Sequence, residues 1–598
     1  MPSLNHSHNK DRNDSWFSQQ LDVLRLHLSR PDALIQLAFL GLISGFLTGG
    51  IIILFRMIVE ESQAGLLMGS AENYEALPLE ARLLFPIAGS FAIALVFRNF
   101  ANGVYVLGVA RVMERMAYHQ GYLTLRGFFL QFIGAALAII SGHSVGREGP
   151  NVFLGAASGS LLGQYLKLPN NSIRTLVGCG TAAGIAASFD TPLAGVIFAL
   201  EVVMMEYTLA SFMPVILAAG SATSISILVF GNKAAFVVPD LQQGALVELP
   251  LVIILGILAG TLSALFIHLL QCVAHKAGNL GFSSKVMISG VIVGLIGAMV
   301  PDVMGIGYDT VSQILAGDTT LTFLLLLLLF KLLATVASVG LGIPGGVIGP
   351  ALFLGACLGG SFGILVRLLF PELQADTGFY SLLGMGAVMG ASLQAPLAAL
   401  TAMMELTHSP QIIMPGMIAI VIANLTASEI FRKKSLFVSV LEANDMSVHA
   451  NPVTQALRRI GVGSVMNKAV VQTEPLLKLE KIDSLLLHNP EWLLVMDNDS
   501  QFHRLMPAID LVRFIEQHRE ELHIDETVNE EEPIDLLEIP ANRIEVASIH
   551  LQATLEEALN ELDSHNLDAL YVERMIAPGI LHVYGVITRS QIESSYRL

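Results

Sequence analysis

The chain has 598 residues, 53% of them hydrophobic and only 14% charged, which sets it apart from an ordinary soluble domain and leaves room for more than one domain. Its formal charge of −17 sits almost wholly in residues 441–598, with 27 acidic against 12 basic side chains, while residues 1–440 carry 23 against 21. An acidic tail argues against nucleic acid as a partner, and three single cysteines (Cys179, Cys272, Cys357) argue against a disulfide framework or a cysteine metal site.

In chain order, residues 1–32 read as a polar arm with a short amphipathic helix near 16–28 and no signal peptide. Apolar segments follow near 33–58, 83–98, 122–141, 150–166, 173–189, 192–204, 210–230, 249–275, 286–300, 320–340, 350–370, 378–392, 396–407 and 411–430. Several are shorter than the roughly 20 residues of a straight span, so they are expected to be broken or partial membrane helices. Lys10, Arg12, Arg25 and Arg30 precede the first, and Arg432-Lys433-Lys434 follow the last. The positive-inside rule then puts both termini in the cytoplasm of a multi-pass protein of the plasma or inner membrane.

One stretch stands out within the apolar region: Ser141-Gly142-His143-Ser144-Val145-Gly146-Arg147-Glu148-Gly149-Pro150. Charge at membrane depth is costly and marks function, and irregular backbone there must be buried or line a watery cavity. Pro150 suits the first turn of a helix, whose free N–H groups favour an anion. Arg147 can either bind that anion or pair with Glu148 in a static salt bridge.

The stretch recurs. Residues 146–155 superpose on 346–355 without a gap, and Gly178 to Glu201 recurs as Gly384 to Glu405 with a few residues of slip. Two long glycine-interrupted halves, about 33–235 and 248–440, are the pattern of transporters that bind substrate near the midplane. The spacings Gly178-x-Gly180-x-x-x-Gly184 and Gly384-x-Gly386-x-x-x-Gly390 are better read as close helix packing than as nucleotide fingerprints. Glu201 and Glu405 are read as partners of helix ends rather than proton carriers. Lys331 is read as a snorkelling residue or an electrostatic lure for anions. His143 is read as a satisfied polar residue, and no His-Glu-x-x-His run supports a membrane enzyme.

From about 441 the hydropathy becomes that of a soluble domain: a linker 441–462, a first unit 463–522, an acidic linker 523–538 and a second unit 539–598. The first unit is expected to hold strands at 470–473 and 492–496 with helices at 478–488 and 509–519. The second opens with the capping box Thr554-Leu555-Glu556-Glu557 and a helix to His565, then strands at 569–572 and 582–587 and a final helix from about Thr588. Each unit is a βαββα repeat.

These motifs closely resemble the CLC chloride channel and transporter family, and the tail resembles the paired CBS domains many members carry. The resemblance implies an all-α polytopic membrane protein of two inverted helical repeats with broken helices, plus a C-terminal α/β CBS pair. It also implies a homodimer with one anion path per subunit, serving chloride and other small anions. Glu148 matches the external gating glutamate, and the backbone around Gly146, Arg147, Gly149, Val347 and Ile348 matches the anion-lining positions. Asn102 falls where the family has a chloride-facing serine, and Phe437 where it has a tyrosine. Val202 stands at the position of the internal proton glutamate, with Glu206 one helical turn on if the helix continues. Asp510, Thr588 and Gln591 occupy the nucleotide-contacting positions of the CBS pair, Gln591 in place of an aspartate. No cofactor is required, and an adenine nucleotide at the CBS pair is the one candidate. Three functions follow: a passive chloride channel gated by Glu148, favoured because valine carries no proton; a proton-coupled exchanger with Glu206 as carrier; and a nucleotide sensor with secondary conduction.

Overall fold

The computed structural model describes residues 24–30, 33–67, 72–103, 107–231, 248–317, 319–373, 376–407, 412–442, 446, 452–496, 503–524, 533–577 and 580–595. Most of the N-terminal arm and the centre of the acidic linker lie outside them. Two compact units form, Leu34–Leu166 with Ile173–His449, and Met1–Ala33 with Lys167–Ser172 and Ala450–Leu598.

The larger unit is helical throughout. Its first half holds α1 (Leu34–Leu66), α2 (Leu79–Phe100), α3 (Gly108–Tyr118), α4 (Leu125–Ile140), α5 (Glu148–Tyr165), α6 (Asn170–Phe189), α7 (Pro192–Phe198) and α8 (Leu209–Phe230). The second half repeats this with α9 (Leu249–Lys276), α10 (Phe282–Met299), α11 (Tyr308–Ala316), α12 (Leu321–Gly340), α13 (Ile348–Leu369), α14 (Thr377–Leu393), α15 (Pro396–Thr407) and α16 (Ile413–Leu425). The short helix α17 (Leu436–Glu442) follows. Among the described residues eight helical stretches are long and apolar enough to cross a membrane, so this is a multi-pass membrane protein.

Local chemistry starts and stops these helices at matching places. Thr124 Oγ1 accepts the Gly127 N–H at 3.1 Å before α4, and Thr320 does the same for Phe323 at 3.4 Å before α12. Both helices end in a left-handed glycine, Gly142 at φ 80° and Gly342 at φ 87°. The two links then meet in an antiparallel bridge, where Gly146 and Gly346 exchange N–H···O bonds of 2.8 and 2.7 Å. Helix pairs close on small residues. Gly41 and Gly45 of α1 face Pro214 and Ala218 of α8, as Gly256 and Gly260 of α9 face Ala419 and Ala423 of α16. Gly180 and Gly384 likewise lie against the carbonyls of Gly155 and Gly355, so both glycine-spaced motifs pack helices.

The smaller unit carries β1 (Val470–Thr473), β2 (Leu476–Leu477), β3 (Trp492–Met496), β4 (His503–Pro507), β5 (Ile534–Asp535), β6 (Ile544–His550), β7 (Ala569–Ala577) and β8 (Ile580–Thr588). Its helices include α18 (Pro452–Arg458), α19 (Val462–Val465), α20 (Leu479–Leu486), α21 (Ala508–Ile524), α22 (Leu555–His565) and α23 (Arg589–Ser595). The strands β1-β3-β4-β6-β7-β8 make one sheet in which β1–β3 and β6–β7 are parallel. A bridge from Asn467 to Val586 nearly closes it. Two βαββα repeats in one sheet fit a CBS pair. The Thr554–Glu557 capping box forms as expected. Residues 167–172, the link into α6 and its first turn, group with this unit, where Asn170 bonds Glu557 and Asn171 bonds the Leu28 and Arg459 carbonyls.

Candidate functional site

The bridge between the two glycine-rich links sets two helix N-termini side by side. Glu148 begins α5 and Ile348 begins α13, and each start offers unpaired N–H groups and a partial positive charge. Glu148 is fully buried, and its Oε2 accepts the Gly349 N–H at 3.1 Å, in the first turn of the other half's helix. The phenol of Tyr308, at the start of α11, donates to Oε1. A carboxylate thus occupies the place where an anion would sit. A Cβ on Gly146 would collide with this carboxylate, and one on Gly149 would come within 2.8 Å of the Gly346 Cα. The glycines are there for close approach.

Arg147 makes no salt bridge with Glu148. It turns outward, donating to Glu60 at 3.4 Å and to the Ser188 carbonyl at 3.2 Å, with its guanidinium 5.3 Å over the Tyr308 ring. It faces a cavity of about 190 Å³ lined also by Arg56, Glu60, Glu72, Tyr308 and Asp309. Val347 and Ile348 are buried at the start of α13 as the repeat predicts. Ile348 borders a second, apolar cavity of about 30 Å³ that also touches Phe198 and Leu352. Phe437 is buried at the start of α17, its ring 6.4 Å edge-on from that of Phe198.

Four sequence expectations need correction. Asn102 is exposed in a left-handed turn after α2, at φ 44°, and is not brought to the site. Helices α3, α9 and α14 pack against α17, and α3 starts at Gly108 behind the half-buried Leu107. The Gly108 N–H is taken by Gln131 at 2.8 Å. Glu206 does not sit one turn beyond Val202. After α7 the chain continues as a π-helical segment, Ala199–Met204, and ends on left-handed Met205. That leaves Val202 buried, while Glu206 accepts from Ser211 Oγ at 2.5 Å. Lys331 neither snorkels nor lies open as a lure. Its ammonium, fully buried, donates to the carbonyls of Val303, Gly305 and Ile306 at 3.1, 3.0 and 3.1 Å and lies 4.6 Å over the Phe353 ring. The static Arg147–Glu148 pair is replaced by Arg147–Glu60.

One other reading stands, and a second stands in part. Glu405 accepts the Leu193 and Ala194 N–H groups at 2.8 and 2.7 Å, and Glu201 those of Leu397 and Ala398 at 3.2 and 2.8 Å. Each glutamate closes the start of the helix in the opposite half. The reading of His143 as a satisfied polar residue holds for one ring nitrogen only: Nε2 is bonded to Ser90 at 3.1 Å, while the buried Nδ1 has no hydrogen-bond partner among the described residues. No cluster of metal-type side chains forms among the described residues.

In the smaller unit the residues at nucleotide positions are engaged locally. Asp510 accepts the Asn542 N–H at 3.1 Å, and Gln591 Oε1 accepts that of Thr588 at 2.8 Å while Thr588 Oγ1 accepts that of Gln591. Gln591 therefore serves as a helix cap.

A buried carboxylate held by backbone N–H where the links of two repeated halves bridge fits an anion-path membrane protein. Residues 89–428 match the voltage-gated chloride channel family. Over 384 residues the chain is 34% identical to the putative chloride channel protein ClcB-like of Ralstonia nicotianae, covering 63% of this chain and 90% of that protein. It is 29% identical over 424 residues to the H(+)/Cl(-) exchange transporter ClcA of Vibrio cholerae, covering 68% and 90%. The crystal structure of a eukaryotic CLC transporter shares the fold over 96% of this chain and 98% of its own, with a TM-score of 0.58 at 17% identity. The chain belongs to the CLC family of transmembrane chloride transport proteins.

Proposed function

We propose that this protein carries chloride passively through a path closed by the Glu148 carboxylate. The observation that carries the reading is the seat of that carboxylate on the Gly349 N–H, where a chloride ion would compete for the same donor. Protonation removes the negative charge that mimics the ion, so low pH opens the path. In proteoliposomes, Glu148→Gln is expected to raise chloride flux and flatten its dependence on pH between about 4 and 8. A mutant with the wild-type pH profile would remove Glu148 from the gate.

Passive transport is supported by Val202, which cannot carry a proton, and by the ring pair Phe198–Phe437 beside it. The second reading, proton-coupled exchange through Glu206, is favoured by the identity to a ClcA exchanger. A chloride gradient across leak-free liposomes should drive no proton uptake. Uphill proton movement that vanishes in Glu206→Gln would replace the passive reading.

The same proposal places both termini in the cytoplasm of the plasma or inner membrane and the protein in a homodimer, the basic residues flanking the spans supporting the orientation. For the C-terminal pair it assigns modulation of flux, with an adenine nucleotide as the ligand to test. ATP or AMP titrated against the full chain, without effect on flux, would leave the pair a structural module.

A further inference from the structure

Tyr308 lies 160 residues from Glu148 in sequence, yet its phenol is the one side-chain donor to that carboxylate among the described residues. The loop that presents it is pinned on every side. Gly307 adopts φ 84° and turns the chain into α11. Lys331 holds the three carbonyls of Val303, Gly305 and Ile306 immediately before that turn. The Tyr308 N–H donates to Glu72 Oε2 at 3.1 Å, and Glu72 is itself set in a left-handed conformation at φ 67°. The ring stands between the Arg147 guanidinium, at 5.3 Å, and the Phe189 ring, at 6.1 Å. Buried groups so tightly bracketed lose little freedom when they bond a partner.

We propose that Tyr308 is a latch: its phenol holds the Glu148 carboxylate inside the anion path, in competition with chloride. The proposal rests on the reading of Glu148 as the gate. It makes Tyr308 a positioning residue, one that acts on the ion through Glu148. The phenol adds a second donor to the backbone one, so the carboxylate leaves the path less readily than the Gly349 N–H alone would allow. The other charges around the gate are Arg147 on its own link, Lys331 on α12, Asp309 on α11, Glu72 on the first loop and Glu60 on α1. All of them stay in place when the phenolic oxygen is removed, so the change reads that oxygen.

The experiment measures chloride flux against pH in proteoliposomes for wild type, Tyr308→Phe, Glu148→Gln and the double variant. Tyr308→Phe keeps the ring and its packing, and its thermal midpoint is recorded alongside. Its half-maximal flux is expected to move upward by about one pH unit, a tenfold change in proton concentration, as the loss of a bond to a charged group implies. At fixed pH it should also reach half-maximal flux at a several-fold lower chloride concentration. The double variant should match Glu148→Gln alone. An unmoved midpoint in Tyr308→Phe, with Glu148→Gln flat, would overturn the latch and keep the gate. A wild-type profile in Glu148→Gln would overturn the gate beneath it. An equal effect of Tyr308→Phe in the Glu148→Gln background would mean that the phenol acts elsewhere, and would also overturn the proposal. If Tyr308→Phe does not purify folded, Tyr308→Leu is compared with Tyr308→Leu in the Glu148→Gln background, so that the lost ring contacts with Arg147 and Phe189 cancel and a shift that survives in the double variant overturns the latch.

Discussion

Glu405 and Glu201 offer the sharpest test of what a membrane carboxylate does in this fold. Glu201 sits in the π-helical segment after α7 and Glu405 in the last turn of α15, and each accepts two backbone N–H groups from the first turn of the other short helix, so α7 and α15 are tied start to end in both directions. Pro192 and Pro396 open these helices, lacking an N–H where none is needed, and the next two N–H groups are the orphans the glutamates satisfy. A hydrogen bond to a charged acceptor contributes about 1.5–3 kcal/mol, and both glutamates are only half-buried, which places each bond at the low end. Glu405→Ala removes two such bonds and should cost about 3 kcal/mol. Glu405→Gln keeps one acceptor oxygen and should cost about half as much. Denaturant unfolding of the detergent-solubilised protein, followed by intrinsic fluorescence, measures the loss. Because the two ties join the same pair of helices, the double alanine variant should lose less than the sum of the singles. A proton carrier would behave otherwise. Stability changed by less than about 0.5 kcal/mol, together with altered proton movement, would refute the capping argument.

Two further expectations follow from the site. Burial, with Asp309 nearby, pushes the Glu72 carboxyl up from its ordinary 4.5 to about 7. A carboxyl with a raised folded value favours the native state while protonated, so this stabilisation is complete below about pH 4.5 and is lost as pH rises through about 7. The slope is at most about 1.4 kcal/mol per pH unit. Glu72→Gln should remove that component from the thermal midpoint measured across the window, and parallel curves would refute it. At the start of α17, Phe437 supplies no hydroxyl, so chloride binding should be weak and poorly discriminated from bromide and nitrate. Phe437→Tyr should tighten chloride roughly fivefold in calorimetry, the worth of one hydrogen bond, and tight selective binding by the wild type would refute the expectation.

The halves were legible because their signal is local. Glycines, a proline and charge break an apolar run twice, 200 residues apart, and those two breaks are the ones that pair through Gly146 and Gly346. The apolar segments became helices for the same reason. Helices α3 and α11 were not expected, because Arg111, Glu114 and Arg115 in one and Asp309 in the other interrupt the apolar pattern. Missing α3 moved the inner site to Asn102, in the exposed turn before it. Strands β4 and β6 were missed too, since His503-Arg504 and Glu545 dilute their apolar alternation. Tyr308 left no trace in the sequence beyond the Gly305-x-Gly307 turn that precedes it. Its partner in the gate is fixed by tertiary packing, which no short-range spacing encodes. Glu206 failed by conformation: a π-helical segment and one left-handed residue turned the next carboxylate out of register with Val202.

That misplacement bears on coupling, because the two sides of Glu148 differ in kind. Toward the Arg147 side lies a charged cavity of about 190 Å³, roomy enough for water and ions. On the side of Phe198, whose ring meets that of Phe437, the space is about 30 Å³ and is bordered also by Ile348 and Leu352. A volume of that size admits about two waters, yet a water needs polar partners and this lining offers few. A proton crossing from that side would need either a carboxylate aimed inward or a standing file of water. The first is lacking at Val202, and Glu206 is held by Ser211. The second would have to form against apolar walls. Chloride faces the same walls, but the N-termini of α5 and α13 draw an anion through them and repel a cation. The field of the two helix starts therefore separates the two ions before any carrier is considered, and it favours chloride moving alone.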